Sequence, residues 1–228
     1  DSSTSRGLGD VYKRQGTEIE KLLKAFLNIA LEKRGYDVLT PVQQEVSKSE
    51  LETSDLLVSA QTGSGKTVGF GIAIAPNLLT DKEVFERASS PLGLVIAPTR
   101  ELAMQVKREL QWLYAETGVV MASCVGGMDM RDERRALERG AHIVVATPGR
   151  LRDHIMRRTI DLSQICAVVL DEADEMLDLG FAEDLKMILD TTPETRRTLM
   201  FSATVPKGIA NLANCLLYTS PSPRDVEE

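Results

Sequence analysis

One short segment, Ala60 to Thr67, constrains the fold of this chain more than any other. It reads Ala-Gln-Thr-Gly-Ser-Gly-Lys-Thr and directly follows an apolar run that begins at Leu56. Apolar residues then recur at helical spacing from Val68, so the order is strand, glycine-rich turn and helix. The pattern matches G-x-x-x-x-G-K-[ST] except at its first position, where alanine stands for glycine. We therefore predict a phosphate-binding loop within an α/β fold.

The residues of this loop suit the phosphates of ATP and a bound Mg²⁺ ion. Backbone N–H groups and the helix dipole attract phosphate at a helix start, and the Lys66 ammonium would reach the outer phosphates. The Thr67 hydroxyl is placed to bind Mg²⁺. The alternative is a plain Gly/Ser turn with a solvated lysine, which the flanking strand and helix disfavour. The predicted nucleotide-binding residues of the loop are Gln61, Thr62, Gly63, Ser64, Gly65, Lys66 and Thr67.

Composition and charge limit the function classes further. The 228 residues are 43% hydrophobic and 27% charged, as in an ordinary globular domain. No apolar run approaches the length of a bilayer span and the polar start lacks signal-peptide features, so we expect a cytoplasmic protein without a membrane partner. Three cysteines are too few for a disulfide framework or a zinc site. A net charge of −7 argues against a large basic nucleic-acid surface but permits a small one.

Both ends of the chain differ in character from the part between them. The peptides Ser5 to Gln15 and Cys215 to Asp225 lack its periodicity, and codons can be chosen so that one is the reverse complement of the other, shifted by a base. Their shared sequence resembles a sequencing adapter read as coding sequence. We expect residues 1–15 and 215–228 to be non-native segments, and residues 16–214 to be a fragment of a longer protein.

The chain between these ends alternates short apolar runs with amphipathic helices. This alternation predicts a parallel sheet with helices on both faces and ligands at the carboxyl ends of the strands. The stretch 76–90 is expected to be a polar connection without regular structure. The predicted strands are Leu56–Ala60, Leu92–Ala97, Val119–Val125, Ala141–Ala146, Ala167–Leu170 and Thr198–Phe201.

An acidic cluster follows the fifth predicted strand. Asp171 comes first after Leu170, and such a position at the end of a buried parallel strand is where nucleotide-bound Mg²⁺ is met. Asp171 then suits the metal, and Glu172 suits a general base that directs water at the terminal phosphate. The alternative is an acidic helix start favoured by the helix dipole. It accounts for the carboxylates but not for their position after a strand in a chain with a phosphate loop.

Two residues upstream of the loop could recognise a base. The Gln43 amide has a donor and an acceptor that match the N6/N7 edge of adenine, and the Tyr36 ring could stack on a base face. By residue type alone, a core position for Tyr36 and a helix-surface position for Gln43 are favoured over base recognition.

Three further strand-to-helix junctions carry similar residues. Pro98-Thr99-Arg100 follows the second predicted strand, Gly126-Gly127 the third, and Thr147-Pro148-Gly149-Arg150 the fourth. Hydroxyls, arginines and exposed backbone amides at helix starts are potential phosphate ligands. The alternative at the first junction is helix capping by Thr99, with Arg100 in an ion pair. His142 and His154, the only histidines, have no metal-ligand partner at suitable spacing and are expected to be structural.

Taken together, these segments resemble the DEAD-box RNA helicases. Gly35-Tyr36 with Thr40-Pro41-x-Gln43 is similar to the Q motif, and Asp171-Glu172-Ala173-Asp174 to motif II. Pro98 to Leu102 is similar to motif Ia, Thr147 to Arg150 to motif Ib, and Ser202-Ala203-Thr204 to motif III. The order and spacing of the motifs match the family over most of residues 16–214. The resemblance implies a first RecA-like P-loop NTPase domain.

The resemblance also implies a function and several roles. It implies an ATP- and Mg²⁺-dependent helicase that acts on RNA, with Lys66, Asp171 and Glu172 in catalysis. Asp174, Ser202 and Thr204 would couple hydrolysis to a second RecA-like domain that is absent from this sequence and would carry an arginine finger. An ATP-gated RNA clamp and a binding-only fragment remain alternatives, and a DNA helicase is less favoured. The implied RNA-backbone ligands are Pro98, Thr99, Arg100, Gly126, Gly127, Thr147, Pro148, Gly149 and Arg150.

Overall fold

A single six-stranded parallel sheet forms the centre of the protein. We describe residues 25–217 of a computed structural model, so the proposed segment 1–15 and most of 215–228 lie outside the described residues. The sheet has the strand order β1-β6-β5-β2-β4-β3, and every neighbouring pair is parallel. Its strands are β1 Leu56–Ser59, β2 Gly93–Ile96, β3 Met121–Cys124, β4 Ile143–Ala146, β5 Ala167–Leu170 and β6 Arg197–Ser202.

Helices cover both faces of this sheet, as the sequence predicts. Strands β2, β4 and β5 are buried along their whole length, which is why they read as continuous apolar runs. Alternate side chains of each strand enter two separate cores, one around Phe70, Leu110 and Phe201 and the other around Leu151, Met176 and Ile188. The helices are α1 Ala25–Lys33, α2 Pro41–Val46, α3 Lys66–Leu79, α4 Arg100–Leu113, α5 Met130–Arg139, α6 Pro148–Met156, α7 Ala173–Asp178, α8 Ala182–Asp190 and α9 Lys207–Leu216.

Two expectations about secondary structure need correction or restriction. The stretch expected as a connection from residue 76 begins inside a helix, because α3 continues through Pro76 to Leu79 and buries Leu78 and Leu79 in the core. Helix α9 runs without a break across the proposed boundary at residue 214, and Leu216 is buried. The domain boundaries themselves stay a prediction. Within residues 25–217 no helix is both long and apolar enough to cross a membrane.

The strand order divides the carboxyl edge of the sheet into two halves. The glycine loop follows β1, Ser202 ends β6 and the acidic cluster follows β5, so these three segments are neighbours. The junctions after β2, β4 and β3 occupy the other half. Because carboxyl ends of parallel strands meet at one edge, each half forms its own candidate site.

Candidate functional site: a nucleotide pocket beside a second set of junctions

The glycine loop adopts a conformation that requires its glycines. Gly63 and Gly65 have φ of +84° and +78°, the left-handed region that glycine occupies at no steric cost. A side chain at Gly65 would also meet the Gln43 amide, since a Cβ there would lie 2.4 Å from Gln43 Nε2. Gly65 forms the N-cap of α3, and Lys66 and Thr67 open that helix. The loop therefore presents backbone amides at a helix start.

Thr40 and Gln43 hold this loop from the side. Thr40 Oγ1 donates to the Ser64 carbonyl at 2.9 Å, and Gln43 Nε2 donates to the Gly65 carbonyl at 3.1 Å. The same two residues form the capping box of α2, in which the Gln43 Oε1 atom accepts from the Thr40 N–H at 2.9 Å. Gln43 is fully buried, so the helix-surface alternative is wrong. Its amide binds the phosphate loop itself, and Thr40, unassigned from sequence, shares that role.

Tyr36 lies in an aromatic cluster at the end of α1. Its ring stacks on Trp112 with centroids 5.8 Å apart, and the Arg34 guanidinium lies 4.9 Å from the centre of the Trp112 ring. Tyr36 is 37% exposed, so the core alternative does not describe it. Trp112 is a neighbour that sequence reasoning missed, because its contact with Tyr36 joins residues far apart in the chain.

Lys66 lies between the two carboxylates predicted to act in catalysis. Its Nζ atom is 3.0 Å from Asp171 Oδ1 and 3.3 Å from Glu172 Oε1. Burial lowers the pKa of Lys66, but the two carboxylates outweigh it and raise the pKa above its ordinary value. Burial raises the pKa of Asp171, although Lys66 partly opposes this. The structure thus brings all three predicted catalytic side chains together.

Several features of this group suit a bound, charged ligand. Asp171 Oδ1 is buried and accepts no well-aligned hydrogen bond, and the buried Ser64 Oγ atom of the loop has no partner within residues 25–217. A buried hydroxyl without a partner, such as that of Ser64, costs free energy unless a ligand satisfies it. Glu172 has a φ of +51°, a backbone strain of about 1–3 kcal/mol that is typical of functional sites. Carboxylate and hydroxyl oxygens are the ligand atoms that Mg²⁺ prefers.

The third segment of this half of the edge is tied to both others. Thr204 donates to Asp174 Oδ2 through its backbone N–H at 3.2 Å and its hydroxyl at 3.0 Å. Ser202 Oγ donates to the Thr204 carbonyl at 2.5 Å, and Gln61 Nε2 donates to the Ala203 carbonyl at 3.2 Å. One continuous set of hydrogen bonds therefore links the phosphate loop, the acidic cluster and the end of β6.

The junction after β2 is partly structural and partly exposed. Pro98 is buried, and Thr99 caps α4 by accepting a hydrogen bond from the Leu102 N–H at 3.3 Å. Arg100 is exposed, donates to the Met128 sulfur and lies against Gly127, whose φ is +83°. Within residues 25–217 no carboxylate pairs with Arg100. Of the structural alternative, helix capping by Thr99 is therefore confirmed and the ion pair of Arg100 is not. The guanidinium remains accessible beside the Gly126–Gly127 turn.

The junction after β4 is anchored by a residue that the sequence did not single out. Glu133 of α5 is buried; its Oε2 accepts from the Val125 N–H at 2.8 Å and its Oε1 from Arg150 Nη1 at 2.8 Å. His154 Nε2 lies 2.9 Å from the same Oε1 atom and donates to it, because an ionised carboxylate only accepts. Arg150 also donates to the Met128 carbonyl. Glu133 therefore holds the β3 and β4 junctions together.

This arrangement limits what each residue of the junction can contact. Burial raises the pKa of Glu133, but the hydrogen bonds from His154, Val125 and Arg150 outweigh it and lower that pKa below its ordinary value. Gly126 and Gly149 have open space around their Cα atoms and are exposed. Thr147 and Pro148 begin α6, and the Arg150 side chain is only 16% exposed. Among these, the exposed glycine amides are more accessible than the Arg150 guanidinium.

Both histidines have internal partners, as a structural role requires. His154 is fully buried between Glu133 and Thr159. His142 Nδ1 accepts from the Val120 N–H at 2.9 Å, and its ring stacks on Phe85 with centroids 4.4 Å apart. Burial lowers the pKa of His142.

The fold and this edge define a class of protein, an α/β domain that binds nucleoside triphosphates. Comparison with known proteins is more specific. The family model for the DEAD/DEAH box helicases matches residues 40–212. The chain is 45% identical over 184 residues to the DEAD-box ATP-dependent RNA helicase CshA of Bacillus cereus, and 44% identical to that of Geobacillus kaustophilus. These matches cover 81% of this chain but 34% and 38% of those relatives.

A solved structure agrees with the sequence matches. A DEAD box protein from Methanococcus jannaschii superposes with a TM-score of 0.77 at 35% identity, covering 86% of this chain and 52% of that one. The chain belongs to the DEAD/DEAH box helicase family, and its domain is RecA-like, as the motifs predict. It spans about a third of the length of the two CshA relatives.

Proposed function

We propose that this chain is the ATP-binding half of an RNA helicase that couples ATP binding and hydrolysis to RNA duplex unwinding or RNP remodelling. One observation carries the proposal: Lys66 Nζ bridges Asp171 and Glu172 directly beside a phosphate loop that contains an unpartnered buried hydroxyl. A purely structural role for this ion pair would not explain why Gly63 and Gly65 adopt left-handed conformations at the start of a helix. Membership of the family and the relatives' names support the rest.

On this proposal Lys66 changes partners when ATP binds. The terminal phosphates offer more negative charge than the carboxylates, so they would draw the ammonium away and free both carboxylates. Thr67 and Asp171 would hold Mg²⁺, which supplies positive charge against the phosphates. Glu172 would then accept a proton from the attacking water. Residues Gln61 to Thr67 would bind the phosphates.

Base recognition would use the segment before α2. Tyr36 is exposed enough to stack on adenine, and Trp112 would fix the plane of its ring. Gln43 has one amide hydrogen beyond the one given to Gly65, and its hydrogen bond to the loop would transmit the presence of the base to the phosphate site. We therefore propose ATP as the preferred nucleotide.

RNA would bind along the half of the edge formed by β2, β4 and β3. Arg100, the Gly126–Gly127 turn, the Thr147 hydroxyl and the Gly149 N–H would meet its phosphates, which carry no sequence information. Asp174, Thr204 and Ser202 lie in the nucleotide half of the edge and would couple hydrolysis to a second RecA-like domain. The three cysteines of the described residues are free thiols, which suits the cytoplasm as the proposed compartment.

Hydrolysis would need a second RecA-like domain. An arginine finger raises phosphoryl-transfer rates by about 10³–10⁵, whereas the cation that pairs with Asp171 and Glu172 in this chain is a lysine, Lys66. The chain by itself should therefore bind nucleotide and hydrolyse it slowly.

The test is nucleotide affinity and ATP turnover of the 228-residue chain, with and without single-stranded RNA. We expect Lys66→Ala to weaken binding of a fluorescent ATP analogue by at least about tenfold. The matched control is Lys186→Ala, which removes the same charge from an exposed pair with Glu183 and should change nothing. Unchanged affinity in Lys66→Ala would overturn the nucleotide site. Fast, RNA-stimulated turnover by this chain would instead overturn the need for a second domain.

A second function uses the same residues. An ATP-gated RNA clamp would hold RNA without separating strands. The continuous hydrogen bonds from Gln61 to Asp174 are suited to coupling ATP binding to RNA binding in such a clamp. Duplex release by the full-length protein distinguishes the two: a helicase releases a labelled strand with ATP, whereas a clamp only slows RNA dissociation.

A further inference from the structure

A polar cleft lies at the pole of the domain opposite the nucleotide site. It has a volume of about 560 Å³, and its walls include Pro91, Ala141 and Asp161. These residues stand just before β2, β4 and β5 respectively, so the cleft is at the amino ends of the strands. A volume of this size is that of an ordinary small-ligand site. Nothing in the proposed ATPase mechanism uses it.

Three arginines from three different segments line this cleft. Arg87 comes from the loop after α3, Arg139 from the end of α5 and Arg158 from the turn after α6. All three are exposed, and their guanidinium groups make no ion pair or hydrogen bond to any residue between 25 and 217. Guanidinium groups bind phosphate through paired N–H donors. The cleft therefore has three guanidinium groups on its walls against two carboxylates, those of Glu138 and Asp161.

The acidic residues of the same cleft already have partners. Asp161 Oδ1 accepts from the Ser163 N–H at 2.9 Å and Oδ2 from the Ser90 hydroxyl at 3.1 Å. Glu138 Oε1 lies 3.4 Å from Arg134 Nε, outside the cleft lining. Three guanidinium groups and two carboxylates leave the cleft with a net charge of 3 − 2 = +1.

The cleft is preformed by close backbone contacts. Gly140 has a φ of +95°, and a Cβ there would lie 2.4 Å from the Ala88 carbonyl oxygen. The Ala141 N–H donates to the Ser89 carbonyl at 3.1 Å, and His142 Nε2 lies 2.7 Å from the Glu86 carbonyl oxygen. These contacts fix the loop that carries Arg87 against the end of α5 that carries Arg139.

Arg158 occupies a position that disfavours most side chains. Its φ is +57°, in the left-handed region that residues other than glycine rarely adopt. Asparagine and glycine would adopt this conformation more easily. The arginine therefore occupies the wall of the cleft despite its local backbone cost.

We propose that this cleft binds a small phosphorylated molecule. Paired guanidinium donors on three walls suit one compact, multiply charged anion better than an extended strand. RNA is disfavoured because the junctions proposed to bind it lie at the opposite ends of the strands and because the chain is acidic overall, at −7. The proposal is independent of the nucleotide site and of its mechanism.

The test is a titration of the ¹⁵N-labelled 228-residue chain with inorganic pyrophosphate, followed through backbone amide shifts. We expect saturable shifts at Ser89, Ser90 and Gly140, separate from any at Gly63 to Thr67. Arg158→Asn should raise the dissociation constant at the cleft by about fivefold or more without lowering the melting temperature, because asparagine accepts the backbone conformation. Arg87→Gln, on an exposed loop, should weaken binding to a similar extent.

The matched control is Arg157→Asn, which removes the same charge one residue away from a side chain that does not line the cleft. It should leave pyrophosphate binding unchanged. The absence of shifts at the cleft, or equal binding by Arg158→Asn and the unsubstituted chain, would overturn the proposal. Larger shifts at the cleft with a short single-stranded RNA than with pyrophosphate would overturn it in favour of an RNA site.

Discussion

Two buried charge clusters lie on the same edge of the sheet, and they differ in how well they are satisfied. The Arg150–Glu133–His154 cluster is complete, because Glu133 accepts three hydrogen bonds and its charge is balanced by one arginine. The cluster of Lys66, Asp171 and Glu172 has two carboxylates for one ammonium, and it leaves Asp171 Oδ1 without a well-aligned hydrogen bond.

This difference distinguishes a structural cluster from the proposed binding site. Opposite pKa shifts accompany it: hydrogen bonds to Glu133 outweigh its burial and lower its pKa, whereas burial raises the pKa of Asp171. A complete cluster has no capacity left for a ligand, and an incomplete one gains free energy when a cation or a hydrogen-bond donor arrives. The comparison therefore predicts opposite responses to the same kind of substitution.

Glu133→Ala should have the largest effect on stability. It leaves the largely buried Arg150 without its counterion and the Val125 N–H without an acceptor, which we expect to cost about 3 kcal/mol or more in the free energy of unfolding. Urea denaturation monitored by circular dichroism measures this cost. A loss below about 1 kcal/mol would mean that the cluster is not structurally important.

Replacing each carboxylate with its amide should change stability in opposite directions. Glu133→Gln removes the negative charge from a balanced cluster and should lose about 1–2 kcal/mol. Asp171→Asn leaves one lysine facing one carboxylate and should be neutral or stabilising by up to about 1 kcal/mol, as is common at active sites. Urea denaturation of both variants tests the comparison directly, and losses of equal size would refute it. Asp171→Asn should nonetheless abolish any Mg²⁺-dependent ATP turnover.

The two clusters should also respond oppositely to acid. The pKa of Glu133 in the folded protein lies below its ordinary value of 4.5, so its contribution to stability is present above pH 4.5 and is lost as the pH falls through the folded pKa. The pKa of Asp171 in the folded protein lies above its ordinary value of 3.8. The folded state therefore becomes more stable as the pH falls from this raised pKa towards 3.8. Urea denaturation at a series of pH values should show both amide variants converging with the unsubstituted chain in acid.

The smallest effect is expected for an exposed ion pair on the same helix as Arg150. Arg152 Nη1 lies 2.6 Å from Asp184 Oδ1, but its side chain is 51% exposed. Arg152→Ala should cost less than about 1 kcal/mol, and salt should weaken that difference further. A cost as large as that of Glu133→Ala, measured in parallel, would show that burial is not what distinguishes these pairs.

The local sequence was enough to predict the fold and to indicate where the nucleotide half of the candidate site lies. Fully buried parallel strands are continuous apolar runs, so β5 was predicted with its observed bounds, Ala167–Leu170. Residues from Gln61 to Thr67 act as one contiguous unit, and a glycine-rich loop between a strand and a helix carries its chemistry in the order of its residues. The continuation of α3 through Pro76 was missed because core packing of Leu78 and Leu79 outweighs the helix-breaking tendency of proline.

Only the tertiary structure decided which polar side chains are committed and which are available. Glu133 is one charged residue among several on α5, and its burial depends on Arg150 and His154, which come from a different helix. Gln43 was ambiguous until its amide was seen bonded to the phosphate loop 22 residues away. Sequence patterns report which face of an element is apolar, because that property repeats along the chain. Hydrogen bonds between distant segments do not repeat, so their partners appear only when the sheet brings the ends of its strands together.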